Sequence, residues 1–218
     1  VVGTIAVPPG PHGLSMTPDG RWVYVSSDGA STVSVVDAAT DQVARTVEVG
    51  KAPHGLSMTP DGRWVLVAVY GEDKVALIDT ATQQVVGNVP VAKPHNIAIR
   101  PDGRTAYVAS QEPGKSALAV IDIAAKTVVR RVPLDKTPRA LKFRPDGQYL
   151  YFTEAGVNAV VVLDPTAADS IAFADAPMLF LWFYNDLVAV QPWIQGFQTP
   201  VIFNGQRWTN VRIGPMGR

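Results

Sequence analysis

Short apolar runs repeated at one period, with no helical stripe between them, predict an all-β chain assembled from like units. Three markers carry the period. Pro-Asp-Gly begins at Pro18, Pro60, Pro101 and Pro145, in steps of 42, 41 and 44 residues. An Asp closes an apolar run about twenty residues after each, at Asp37, Asp79, Asp122 and Asp164. Ahead of each stands Pro-His or its variant: Pro11-His12, Pro53-His54, Pro94-His95 and Pro138-Arg139.

Each unit reads as four short antiparallel strands. In the first, residues 13–17 make a strand and Pro18-Asp19-Gly20 a turn. Proline presets the negative φ of the turn and glycine accepts the positive φ that follows. Residues 22–26 form the second strand, and 27–31 a loop rich in Gly and Ser. Residues 32–36 form the third, ended by Asp37, whose carboxylate can accept backbone N–H groups in the next turn. Residues 42–49 form the fourth. Four strands in about 42 residues is the size of one β-propeller blade. Val, Ile and Thr alternating with polar residues support strands. The expected architecture is therefore a β-propeller of four blades over residues 1–166, or five if the β-rich, non-repeat tail supplies one. Residues 1–7 read as the fourth strand of a blade whose other strands are missing. The last repeat stops after its third, so the two are expected to pair across residues 158–163.

Within this frame the units resemble the bacterial propellers built on the Tyr-Val-Thr-Asn repeat. The namesake position holds Tyr24-Val25-Ser26-Ser27, Tyr107-Val108-Ala109-Ser110 and Tyr151-Phe152-Thr153-Glu154, and departs to Leu66-Val67-Ala68-Val69 in the second unit. The third-strand phrase ends Asp79-Thr80-Ala81-Thr82 and Asp37-Ala38-Ala39-Thr40. The resemblance implies a propeller, in rings commonly of seven blades, and is silent on function.

From Ala168 the repeat is gone, and Phe180, Trp182, Phe183, Tyr184, Trp193, Phe197, Phe203 and Trp208 crowd together. Residues 175–190, then Pro192-Trp193-Ile194-Gln195-Gly196-Phe197 and Trp208-Thr209-Asn210-Val211-Arg212-Ile213, resemble the C-terminal segment of solute-binding proteins of peptide and nickel ABC importers. The chain thus reads as a gene fusion, with propeller blades over 1–166 and a solute-binding-like segment over 167–218. Residues 178–184 are apolar on both faces and are expected to form a buried strand.

Bulk properties narrow the function. Basic and acidic residues balance at 19 each, which argues against nucleic acid or an anionic membrane as partner. With 47% hydrophobic and 17% charged residues the chain is no disordered segment. It has no cysteine, which removes thiolate metal sites and cysteine nucleophiles and agrees with a periplasmic or extracellular setting. The longest apolar stretch is too short to span a bilayer as a helix. Walker, Gly-x-Ser-x-Gly and His-Glu-x-x-His patterns do not occur.

The candidate site is the repeat-borne set His12, His54, His95 and Arg139. These residues follow the connection from one blade's outer strand to the next blade's inner strand, and so gather at the mouth of the propeller axis. Three neutral imidazoles could ligate copper or zinc, and propellers of the resembling kind include copper and haem enzymes. Arg139 would set a fixed charge beside any such ion. The plainer role is structural, each imidazole bonding a neighbouring loop. Asp37, Asp79, Asp122 and Asp164, like Asp19, Asp61, Asp102 and Asp146, read as turn caps, since paired carboxylate chemistry needs two on one substrate. The leading expectation is a non-enzymatic scaffold binding a protein or small molecule at the axis mouth, with a tendency to self-associate. The rivals are a metal-dependent redox enzyme fragment and a solute-binding transport fusion.

Overall fold

A computed structural model describes residues 1–166; the strand expected at 178–184 and the solute-binding-like segment lie outside them. Each repeat folds into one sheet whose strands follow chain order. The first holds β1 (Pro11–Met16), β2 (Trp22–Ser27), β3 (Thr32–Asp37) and β4 (Gln42–Glu48). The second holds β5 (Pro53–Met58), β6 (Trp64–Val69), β7 (Lys74–Asp79) and β8 (Gln84–Pro90). The third holds β9 (Pro94–Ile99), β10 (Thr105–Ser110), β11 (Ala117–Asp122) and β12 (Thr127–Pro133). The fourth has three strands, β13 (Pro138–Phe143), β14 (Leu150–Glu154) and β15 (Val160–Leu163). All pairs are antiparallel, and the only helix among the described residues is one 3-10 turn, Tyr70–Glu72.

Local chemistry sets the turns as the sequence predicts. Gly20, Gly62, Gly103 and Gly147 take φ of 73°, 70°, 71° and 72°, a region that costs a residue with a Cβ about 1–2 kcal/mol. Thr17 and Thr59 lock the first two turns. Each hydroxyl accepts an N–H, from Trp22 at 2.9 Å and from Trp64 at 3.0 Å. The next turn-capping set also forms: Asp37, Asp79, Asp122 and Asp164 accept from Ala39, Thr82, Ala125 and Thr166 N–H at 2.8–2.9 Å. These carboxylates are caps, as the sequence indicates.

Inter-blade packing then explains the burial pattern. The alternation of period two survives on the outer strands β4, β8 and β12, whereas β6 and β10 are buried on both faces. A blade between two neighbours has no solvent face, so its middle strands become continuous apolar runs. Three cores result, one between each pair of successive blades. Tyr24, Val33 and Val35 meet Leu56, Val65 and Val67. Leu66, Ala68 and Leu77 meet Ile97, Ala106 and Val108. Tyr107, Leu118 and Val120 meet Phe143, Phe152 and Val161. No buried cluster among the described residues joins the fourth blade to the first, so these blades form an open row.

Two expectations are corrected. Residues 1–7 form no strand, and β15 pairs with β14 alone. With the row open, the two ends are not brought together. The inner strands also start two residues earlier than the turn pattern suggests, at Pro11 and its equivalents. A bulge between Pro11 and Leu14, repeated in blades 2, 3 and 4, carries the ladder past the residue after the histidine or Arg139.

Candidate functional site

The second residue of each inner strand is His12, His54, His95 or Arg139, so the candidate residues sit inside β1, β5, β9 and β13 and not on the connections before them. Successive inner strands are neighbours, and three consecutive imidazoles therefore form one column. The His12 and His54 ring centroids are 3.5 Å apart and those of His54 and His95 are 4.0 Å apart, with tilts of 40° and 43°. His12 and His95 stand 6.2 Å apart at its two ends. Tyr70 flanks the central ring at 6.3 Å, and the Lys93 ammonium lies 5.3 Å from the Tyr70 centroid.

Strand contacts hold the column at this spacing. The buried Ser26 hydroxyl accepts from Gly13 N–H at 3.0 Å and donates to the His54 carbonyl of the next blade. A Cβ on Gly55 would sit 2.6 Å from the His95 carbonyl oxygen, so only glycine lets β5 and β9 approach this closely. In blade 3 the same place holds Asn96, whose amide donates to the Arg139 carbonyl at 3.3 Å and lies 3.0 Å from His95 Nδ1. Gln111 donates to the Pro138 carbonyl at 2.8 Å. Ser26, Asn96 and Gln111 were not among the sequence candidates. For Ser26 and Asn96 the signal was a polar residue where two or more sister repeats carry Ala or Gly, Ala68 and Ala109 against Ser26 and Gly13, Gly55 and Ala140 against Asn96; Gln111, whose sisters are Asp28, Tyr70 and Ala155, carried no such signal.

Burial sets the charge of the column. His54 is held below the ordinary imidazole pKa, first by burial and then by His12. His95 is lowered to about 4 by burial, then by His54 and Arg139. Both are neutral near pH 7. His54 Nδ1 is buried with no hydrogen-bond partner.

This arrangement does not suit an ion shared by all three. Imidazoles on one tetrahedral zinc, with nitrogens about 2.0–2.1 Å from it, keep their centroids roughly 5 Å apart. Adjacent rings here are closer than that and the outer two farther. A porphyrin on His54 would meet the two flanking rings. Among the described residues no group of three or more His, Asp or Glu is placed to hold a metal ion.

Comparison with known proteins agrees on the architecture. A family model described as the cytochrome D1 heme domain matches residues 11–98, a span that contains all three histidines. Over 166 residues the chain is 28% identical to the seven-bladed beta-propeller protein Rv1057 of Mycobacterium tuberculosis, covering 75% of this chain and 32% of that protein. It is similar to a solved structure of hydrazine synthase from Kuenenia stuttgartiensis, with a TM-score of 0.68 and 32% identity over 75% of this chain and 49% of that one. The chain therefore spans about a third of the curated relative and half of the solved one. No helix among the described residues is long and apolar enough to cross a membrane. Repeat, sheet order and these likenesses together place residues 1–166 among the β-propeller proteins.

Proposed function

We propose that the chain is a non-enzymatic, extracytoplasmic propeller module that binds a protein or small ligand at the mouth of its axis. The observation supporting this reading is the column itself: three imidazoles from consecutive blades, those of His54 and His95 neutral, with the always-charged Arg139 next in the series. Such a surface offers N–H donors and one fixed cation, which suits an anionic group better than a cation. The three histidines are the only ones in the chain, so their ring resonances can be followed singly by NMR. Titration with acetate or inorganic phosphate should shift them together and saturably, and Arg139→Ala should weaken the response several-fold. Shifts that never saturate, or that Arg139→Ala leaves unchanged, would remove this site.

A redox reading is favoured by one finding, that the cytochrome D1 heme domain match spans His12, His54 and His95. Copper, zinc or haem would each require the column to open first. Elemental analysis and a haemin titration separate the readings. Stoichiometric metal or haem in the wild type, lost in His54→Ala, would replace the scaffold reading with the redox one.

A further inference from the structure

Side-chain hydrogen bonds gather where the histidine series gives way to Arg139. The Asn96 amide of β9 donates to the Arg139 carbonyl at 3.3 Å, and Gln111, just after β10, donates to the Pro138 carbonyl at 2.8 Å. On the far side, Ala140 N–H donates to the Thr153 hydroxyl of β14 at 3.3 Å. The backbone is thus tethered before, at and after Arg139. The guanidinium takes no part in this: it is exposed and has no ion-pair partner among the described residues. Glu154, opposite Pro138 in the ladder, is acted on by Asp135 and Lys136 instead.

Asn96 also settles which nitrogen of His95 carries the proton. Its amide nitrogen serves both the Arg139 carbonyl and His95 Nδ1, which lies 3.0 Å away. A carbonyl only accepts, so the nitrogen end of the amide must face it. Turning the amide over would set its oxygen against the carbonyl oxygen. The second N–H of that nitrogen is then the one that meets Nδ1, which accordingly accepts. The proton of the neutral ring therefore sits on Nε2. Room for the amide comes from Gly55, where a Cβ would overlap Asn96 Oδ1. His95 Nε2 is unbonded among the described residues without being sealed from water, so its N–H opens to solvent.

Charge is graded along the column. Burial acts first on both inner rings; after it, the charges acting on His54 are His12, Asp28 and Arg139, and those acting on His95 are His54, Arg139 and His12. The one carboxylate in this set belongs to the His54 side. The His95 end combines an N–H donor and a guanidinium with no competing acid. We propose, resting on the anion-binding reading of the column, that its His95 end is a site for a carboxylate, with His95 Nε2–H and the Arg139 guanidinium as donors and Asn96 as the residue that positions them. A carboxylate has two coplanar oxygens, one for each donor. With His95 neutral the site carries one positive charge, which the single charge of a carboxylate balances. Inorganic phosphate brings a larger charge at neutral pH and fits less well.

Long-range proton–nitrogen NMR correlation distinguishes the two neutral tautomers. In the full wild-type chain His95 should carry its proton on Nε2. Acetate should move the His95 resonances most and should bind several-fold more tightly than inorganic phosphate. A blocked dipeptide with a free C-terminus, run beside acetate, separates the sources: tighter binding marks a chain end, weaker binding a small free acid. Asn96→Asp offers Nδ1 only an acceptor. At about pH 8, above the ordinary imidazole range, it should move the proton to Nδ1 and weaken acetate about tenfold, the loss expected for a hydrogen bond to a charged group. A wild-type His95 protonated on Nδ1, a preference for phosphate, or the largest shift at His12 would overturn the carboxylate site while leaving anion binding at the column intact. So would a folded Asn96→Asp chain that keeps the wild-type tautomer or acetate affinity. If that variant does not fold, the wild-type tautomer and the acetate preference decide. No saturable response to either anion would end both readings.

Discussion

Glycine is used here for two separable reasons, and single substitutions can tell them apart. Gly20 and Gly62 share a positive φ, but a Cβ on Gly20 would meet nothing within 4 Å while one on Gly62 would sit 2.7 Å from Pro18 Cδ. Gly20→Val should therefore cost the backbone strain alone, roughly 1–2 kcal/mol by chemical denaturation. Gly62→Val adds a clash with the neighbouring blade's turn and should cost more. Equal losses would show that the blades part easily at this end. The imidazole column carries its own residue-scale signature. His54 and His95 have folded pKa values below the ordinary imidazole value, so the unfolded chain binds more protons in acid. Their contribution is complete above about pH 6.5 and is lost as pH falls toward about 4, the value of His95. His12 and Arg139 add to the repulsion, and Asp28 opposes it at His54. Melting temperature should fall across this window, and a His54→Gln, His95→Gln double variant should fall less. Parallel profiles for both proteins would mean that the column does not govern the acid limb.

At the level of strands and turns, legibility followed how local the cause was. Pro-Asp-Gly, the capping Asp residues and the apolar runs act within a few positions, and each could be read from the chain before any blade was seen. The histidines were legible as a set because they share one repeat position. Their stacking was not, since the spacing of rings on β1, β5 and β9 depends on how closely the strands approach. That approach is set by Gly13, Gly55 and the hydroxyl of Ser26, residues whose role appears only between blades. The strand expected at residues 1–7 failed for the same reason: its apolar pattern is correct, but a strand needs a partner, and β15 is not within its reach in one described row. Ser26→Ala tests the inter-blade tie directly. It would leave the Gly13 N–H and the His54 carbonyl without this buried partner, a loss of about 1–3 kcal/mol. The equivalent Ala68→Ser in blade 2 should not yield a gain of that size, because Ala68 is enclosed by the apolar core between blades 2 and 3. A neutral Ser26→Ala would mean that glycine packing alone fixes the spacing.

Across the whole row, stability should behave as a sum of blades and the interfaces between them, as in other repeat proteins. The three internal cores are similar in composition, being mainly aliphatic with one to three aromatic rings. What differs is how many each blade touches. Among the described residues, blades 2 and 3 have a core on both sides and blades 1 and 4 on one, so opening an end blade gives up one of these interfaces while opening a middle blade gives up two. Amide hydrogen exchange resolves this, because protection reports the free energy of the smallest opening that frees each N–H. Protection should be strongest in β6, β7, β10 and β11 and weaker in β2, β3 and β14. Uniform protection would mean that the four blades open as one unit.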